Sequence, residues 1–104
     1  ASILKGRKLT LVLGILDDKP FEKMLQKLVP LAHRVILSRA KIDRSIDPFI
    51  LKKAAQQLTH NPVSIIESVK DAVTHALKTS DSEDIICIAG SLYVVGEAKE
   101  ILDC

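Results

Sequence analysis

Two adjacent carboxylates and an ammonium group follow the first apolar segment of the chain. Asp17, Asp18 and Lys19 come directly after Gly14-Ile15-Leu16. A carboxylate can accept two hydrogen bonds from a ribose diol, and a lysine can reach a phosphate. These residue types therefore fit a nucleotide. The alternative is a solvated loop in which Asp18 interacts with the dipole of the following helix.

A second candidate site is Gly90-Ser91-Leu92-Tyr93, near the end of the chain. Glycine lets the backbone approach a ligand closely, and a serine hydroxyl beside the free N–H groups of a helix start can hold a carboxylate or a phosphate. The alternative is that Ser91 is an ordinary N-cap, whose oxygen accepts a hydrogen bond from a helix amide. On physical grounds alone, the capping role is favoured.

The other reactive residue types show no pattern that is typical of a catalytic or metal site. His33, His60 and His75 lack metal-ligand spacing, and the sequence contains no Cys-x-x-Cys. It also contains neither a G-x-x-x-x-G-K-[ST] loop nor a G-x-G-x-x-G motif. Cys87 lies within an apolar segment, where a core position is favoured over a nucleophile. We therefore assign no catalytic residue and no metal ligand to this chain.

Asp17 and Asp18 also suggest the acidic pair that binds Mg²⁺ in a phosphoryl-accepting receiver domain. That chemistry requires a further Asp at the end of a central strand and a Lys at the end of a later one. The third predicted strand ends in Glu67-Ser68 and the fourth in Gly90-Ser91, so both residues are absent. The receiver class is excluded on its own requirements.

The elements that must position these residues alternate between strands and helices. Apolar runs predict strands and amphipathic stripes with caps predict helices; the strands are Lys8–Leu16, His33–Leu37, Val63–Ile66 and Ile85–Ala89, and the helices follow Pro20, Asp47, Ser68 and Ser91. The order βαβαβαβα predicts an α/β, Rossmann-like three-layer sandwich, with a mostly parallel sheet and helices on both faces. Ligands bind at the carboxyl ends of such strands. Four segments are expected there: Gly14–Lys19, Ser38–Arg44, Glu67–Ser68 and Gly90–Tyr93.

Composition indicates one globular domain with an aliphatic core. The chain has 104 residues, 47% of them hydrophobic, and its only aromatic residues are Phe21, Phe49 and Tyr93. Cys87 and Cys104 make a poor disulfide framework, which favours a reduced, cytoplasmic setting. No apolar run approaches the roughly 20 residues that span a bilayer, so no membrane partner is expected.

The charge of the chain is unevenly distributed. Residues 1–44 hold ten Lys and Arg against four Asp and Glu, whereas residues 45–104 hold five Lys against nine acidic residues. A basic half suits a small anionic ligand, although a solvated surface is the commoner explanation. Nucleic-acid binding is disfavoured, because the net charge is only +2 and no aromatic residues lie among the basic ones to stack on bases.

The two candidate segments together resemble the C-terminal domain of folylpolyglutamate synthase. In that family the same domain also serves dihydrofolate synthase activity, and it belongs to the wider Mur ligase group. The resemblance is carried by LVLGILDDK (Leu11–Lys19) and ICIAGSLYVVG (Ile86–Gly96), and it extends to RAKIDRSIDP (Arg39–Pro48) and SVKDAV (Ser68–Val73). It covers essentially the whole chain, in order.

The resemblance implies an ATP-dependent acid–amino-acid ligase. The family uses ATP and Mg²⁺ to phosphorylate a carboxyl group of a folate or of dihydropteroate. The amino group of L-glutamate then attacks the acyl phosphate to form an amide. An N-terminal P-loop domain provides most of the contacts to ATP and Mg²⁺, and the C-terminal domain closes over it.

The resemblance also implies roles for individual residues. Asp18 matches the aspartate that holds the nucleotide ribose, and Lys19 follows it on the phosphate side of the cleft. Ser91 matches the serine that helps to hold the incoming glutamate. The remaining residues that the resemblance places in the cleft are Tyr93, which is grouped with the glutamate site, Arg44 and Asp17.

The chain departs from the family pattern in two places. Pro20 follows Lys19 where the family loop continues D-K-D, and the strand, D-G-A-H-N-P motif and helix that open the family domain are missing. His60-Asn61-Pro62 lacks the preceding D-G-A and is interpreted as a turn. We therefore expect residues 1–104 to be one Mur-ligase-type C-terminal domain without its first strand and helix. Such a piece of a longer ligase would be inactive alone. The alternative is a stand-alone, non-catalytic Rossmann-like module for ligand binding or interaction.

Overall fold

A computed structural model describes residues 7–102 of the chain. Strands and helices alternate through this range in the predicted order; the strands are β1 (Leu9–Leu13), β2 (Arg34–Arg39), β3 (Val63–Ser68) and β4 (Ile85–Ala89), and the helices are α1 (Phe21–Leu28), α2 (Pro48–Gln56), α3 (Val69–Thr79) and α4 (Leu92–Leu102). A 3₁₀ turn, Val29–Leu31, continues α1. Cys104 lies outside the described residues. Within them, no helix has the length and apolar character that a membrane crossing requires.

The four strands form one parallel sheet in the order β3-β2-β1-β4. The chain moves outward from β1 to β3 and then returns to place β4 on the other side of β1. The strand order therefore reverses between β1 and β4. In open α/β sheets this reversal opens a crevice at the carboxyl ends of the strands, which is where ligands bind.

Helices cover both faces of the sheet, as predicted. Side chains alternate between the faces along β1, so that Leu11 and Leu13 pack in one cluster with α1 and α2. Val12 points to the other face and packs in a second cluster with α3 and α4. Both clusters are aliphatic, and the α/β three-layer prediction is confirmed.

The first strand is shorter than its apolar sequence predicts. β1 ends at Leu13, and the chain then turns so that Leu16 forms an isolated antiparallel bridge to Ser45. Ile15 and Leu16 are nevertheless buried, with only 1% and 8% of their surfaces exposed. The hydrophobic pattern therefore continues past the end of the strand and conceals it.

Two other local predictions differ from the structure. We expected β4 to be a buried strand, but it is half-buried along its length, Cys87 included, because within residues 7–102 it pairs with β1 on one side and with no strand on the other. Ser38 and Arg39, predicted in a loop, extend β2. Ser38 is fully buried there, and its hydroxyl donates a hydrogen bond to the Ile66 carbonyl at 2.7 Å.

Two glycines bring β1 and β4 into close contact at the point where the strand order reverses. Gly90 has a φ of 115°, and a Cβ atom added to it would overlap the carbonyl oxygen of Gly14. A Cβ at Gly14 would in turn lie 2.8 Å from Val94 Cγ2 and 2.9 Å from the Ser38 carbonyl oxygen. Only glycine satisfies both positions, because each lacks the space for a side chain.

We expect Gly90→Ala to lower the free energy of unfolding by about 3 kcal/mol, because it adds both a backbone clash and a strained φ. The matched control is Gly96→Ala in α4, where an added Cβ has no atom within 4 Å. That variant should be neutral or stabilising by up to about 1 kcal/mol. Urea unfolding measures both changes, and equal stability of the two variants would contradict the close contact.

Candidate functional site

The loop after β1 is held to the loop after β2 by backbone hydrogen bonds. The Asp17 N–H donates to the Arg44 carbonyl at 2.7 Å, and the Ile46 N–H donates to the Ile15 carbonyl at 2.8 Å. These bonds lie on either side of the bridge between Leu16 and Ser45. The two loops therefore have a fixed relative position at the carboxyl edge of the sheet.

The Arg44 side chain lies between the two candidate carboxylates. Its Nη2 is 2.9 Å from Asp18 Oδ2, and its Nε is 3.5 Å from Asp17 Oδ1. The charge of Asp18, its hydrogen bond and then the same contributions from Asp17 raise the pKa of Arg44 above its ordinary value. Arginine is charged near neutrality in any case, so this shift adds no pH dependence there.

Asp18 does not cap the helix that follows it. The residue at the N-cap of α1 is Pro20, and no side chain caps this helix. The Asp18 carboxylate instead contacts Arg44 through Oδ2. This contact weakens the alternative in which Asp18 serves the helix dipole.

Lys19 is exposed beside this pair. Its N–H donates to the Leu16 carbonyl at 3.1 Å, which closes the turn, and its side chain lines a surface cavity of about 450 Å³ with Pro20 and Phe21. Within residues 7–102, its ammonium group makes no hydrogen bond or ion pair. The ammonium is therefore available to an anionic ligand.

Ser91 is the N-cap of α4. The Val94 N–H donates to Ser91 Oγ at 3.1 Å, and the Val95 N–H donates to the Ser91 carbonyl at the same distance. The capping role that physical grounds favoured is thus present in the structure. The hydroxyl hydrogen remains available to a ligand, because capping uses only the oxygen as an acceptor. Tyr93, in the first turn of α4, is 52% exposed.

The two candidate segments lie on adjacent loops. The Gly14 N–H donates to the carbonyl of Ala89, the last residue of β4, at 3.4 Å. Gly90, which follows Ala89, also contacts Gly14. No hydrogen bond or ion pair within the described range joins Asp17, Asp18 or Lys19 to Ser91 or Tyr93. The two segments are therefore in contact at Gly14 and Gly90, at the carboxyl ends of β1 and β4.

Two contacts at this edge have no signal in the sequence. Arg44 and Asp17 are 27 residues apart, and the sequence identified Arg44 only as a possible cleft residue. The Glu97 carboxylate accepts a hydrogen bond from the Lys41 N–H at 2.7 Å across 56 residues, which ties the β2–α2 loop to α4. Only the folded chain brings these residues together.

The donor set at this edge does not resemble a metal centre. Among residues 7–102, no three His, Cys, Asp or Glu side chains are grouped so that they could hold a metal ion. Asp17 and Asp18 form a carboxylate pair, but Arg44 is bound to both. A divalent cation placed there would be repelled by the guanidinium.

A family model described as "Mur ligase, glutamate ligase domain" matches residues 1–92. The chain belongs to this family. The resemblance deduced from the two motifs is thereby confirmed.

Individual relatives of the ligase domain agree with this assignment. The chain is 35% identical over 91 residues to a probable bifunctional folylpolyglutamate synthase/dihydropteroate synthase of Haloferax volcanii, covering 88% of this chain and 11% of that protein. It matches the crystal structure of folylpolyglutamate synthase from Thermotoga maritima with a TM-score of 0.76 and 34% identity. That match covers 95% of this chain and 22% of the Thermotoga chain.

A further solved relative contains nucleotides. The Mycobacterium tuberculosis folylpolyglutamate synthase complexed with ADP and AMPPCP matches with a TM-score of 0.79 and 26% identity, covering 99% of this chain and 26% of that one. The ligase domain therefore spans about a quarter or less of the solved and curated relatives named above.

Proposed function

We propose that this chain is the C-terminal domain of an ATP-dependent folylpolyglutamate synthase or dihydrofolate synthase. The proposal rests on one observation: in a Mur ligase glutamate ligase domain, the segments that lead to Asp17–Lys19 and to Ser91 contact each other at Gly14 and Gly90, where the strand order reverses. Relatives that carry the synthase name, one of them complexed with ADP, support this function. The domain helps to bind the nucleotide and L-glutamate.

Asp18 and Lys19 serve the nucleotide in this proposal. Arg44 contacts Asp18 through Oδ2, and within residues 7–102 Asp18 Oδ1 has no partner. That oxygen can accept hydrogen bonds from both hydroxyls of a ribose. The exposed Lys19 ammonium lies one residue further along the loop, where it can pair with a phosphate.

Ser91 and Tyr93 serve L-glutamate. The Ser91 hydroxyl hydrogen and the exposed Tyr93 hydroxyl are both donors, and they lie at the N-terminus of an eleven-residue helix. A helix N-terminus favours a negative group. A carboxylate of glutamate is therefore the anion we assign to this corner, with the amino group directed into the crevice.

The reaction in this proposal is an amide ligation through an acyl phosphate. The terminal phosphoryl group of ATP passes to a carboxyl group of the folate or dihydropteroate, with release of ADP. The glutamate amine then attacks the acyl carbon and displaces phosphate. The residues of this domain bind and orient the two substrates, and none of them is assigned a proton-transfer step.

The rest of the machinery belongs to a partner P-loop domain in the same ligase. The described residues lack a phosphate cradle and do not fit Mg²⁺, because Arg44 occupies the carboxylate pair. We therefore assign no metal-binding role to the residues of this domain. We further propose that residues 1–104 alone do not ligate glutamate.

We expect Asp18→Asn in the full-length ligase that contains this domain to raise the KM for ATP by about 10-fold or more, because a charge-assisted hydrogen bond to the ribose weakens. The matched control is Asp81→Asn. It removes the same charge from the turn before β4, at the amino ends of the strands and so away from the candidate site. Steady-state kinetics with varied ATP measures both. An unchanged KM in Asp18→Asn would remove the nucleotide role from this residue.

We expect Ser91→Asp to keep the unfolding free energy while raising the KM for L-glutamate by about 10-fold or more, because aspartate caps helices as well as serine but repels a carboxylate. Ser68→Asp is the matched control, since Ser68 caps α3 in the same way, with its Oγ 3.3 Å from the Asp71 nitrogen. Urea unfolding and glutamate titration measure the two effects. A glutamate KM that responds equally to both substitutions would refute the proposed contact.

A further inference from the structure

The position of Arg44 is fixed before its side chain makes any contact. Its carbonyl accepts the Asp17 N–H at 2.7 Å, and Ser45 beside it donates from its hydroxyl to the Ala40 carbonyl at 3.0 Å. On the far side of the loop, Lys41 is held by Glu97 of α4. The guanidinium therefore extends from a loop whose backbone is held in place by hydrogen bonds.

The guanidinium contacts both carboxylates but leaves one carboxylate oxygen of Asp18, the candidate ribose-binding residue, without a contact. Nη2 contacts Oδ2 of Asp18 at 2.9 Å and Nε contacts Asp17 at 3.5 Å. Asp18 Oδ1 has no partner within residues 7–102. A planar guanidinium orients a carboxylate, whereas an ammonium acts as a point charge.

Within the described residues, no other cation contacts Asp17 or Asp18. Arg39, the last residue of β2, lies 3.9 Å from Asp47 and 3.9 Å from Glu67. The Lys19 ammonium makes no ion pair within the described range, although it follows Asp18 directly. Without Arg44, two adjacent carboxylates would face an anionic nucleotide with no counter-charge bound to them.

We propose that Arg44 is a positioning residue, which orients the Asp18 carboxylate toward the ribose and offsets the charge of the Asp17–Asp18 pair. The inference deepens the proposed function and rests on it. Two of its guanidinium nitrogens, Nη2 and Nε, contact the two carboxylates. Its contribution to binding passes through Asp18.

The contribution of this cluster to stability is small, which makes its role testable. The side chains of Arg44, Asp17 and Asp18 are 55%, 62% and 46% exposed, and exposed ion pairs contribute little to folding. The thermal midpoint of Arg44→Ala should therefore stay close to that of the wild type. A change in nucleotide affinity would then reflect positioning and not unfolding.

The test is a double-mutant cycle in the full-length ligase that contains this domain, read out as the dissociation constants of ADP and of adenosine by calorimetry. We expect Arg44→Ala to weaken both ligands by a similar factor, about 5- to 10-fold, because both contain the ribose. Arg44→Lys should recover part of this loss, since it restores charge without the planar geometry. In an Asp18→Asn background, Arg44→Ala should add less than about twofold.

Arg39→Ala is the matched control, because Arg39 is the same kind of cation, lies at the end of β2 just before the loop that carries Arg44, and pairs with Asp47 and Glu67 instead. It should leave both dissociation constants within about twofold of the wild type. A loss in Arg44→Ala that is equally large in the Asp18→Asn background, or that affects ADP but not adenosine, would overturn the inference in favour of direct contact. No loss in Arg44→Ala would also overturn it. If Asp18→Asn alone has no effect on ADP, the proposed function fails at this residue, which is a separate result.

Discussion

The backbone contact between Gly14 and Gly90 is the constraint on which the rest of the site depends. It lies where β1 and β4 are neighbours in space but are separated along the chain by the other two strands. Because neither glycine carries a Cβ atom, the two backbone segments approach more closely than residues with side chains would allow. The segment that leads to the carboxylates after β1 and the capped helix start after β4 therefore begin from adjacent, contacting residues.

Charge at this edge is balanced across three loops. The pair Asp17–Asp18 follows β1, Arg44 comes from the loop after β2, and the N-terminus of α4 follows β4. The guanidinium compensates part of the negative charge, while the exposed Lys19 and the helix N-terminus supply positive potential. An edge of this kind suits a nucleotide beside an amino-acid carboxylate, since both ligands bring negative groups to one crevice.

The sequence predicted the architecture because the elements carry local signals. Four apolar segments and four amphipathic stripes indicated the element order, and their alternation indicated the parallel sheet. Caps at Asp47 and Ser68 were recognisable from residue type, and the structure confirms both. The end of β1 was not predictable, because Ile15 and Leu16 stay buried outside the strand.

The site was predictable in its parts but not in its connections. Residue types and the family resemblance singled out Asp18, Lys19 and Ser91, and the structure brings their loops together. The ion pairs of Arg44 depend on loop positions that tertiary contacts set, so no spacing in the chain encodes them. The half-buried state of β4 likewise follows from strand order, which the apolar sequence of the strand does not contain.

The most direct test of the proposed function is glutamate-dependent ATP hydrolysis by the full-length ligase that contains this domain, with dihydropteroate and tetrahydrofolate as alternative acceptors. The account predicts that ADP release requires both L-glutamate and at least one of these acceptors. ADP release that is independent of glutamate, or none with either acceptor, would contradict it and would favour a non-catalytic binding module.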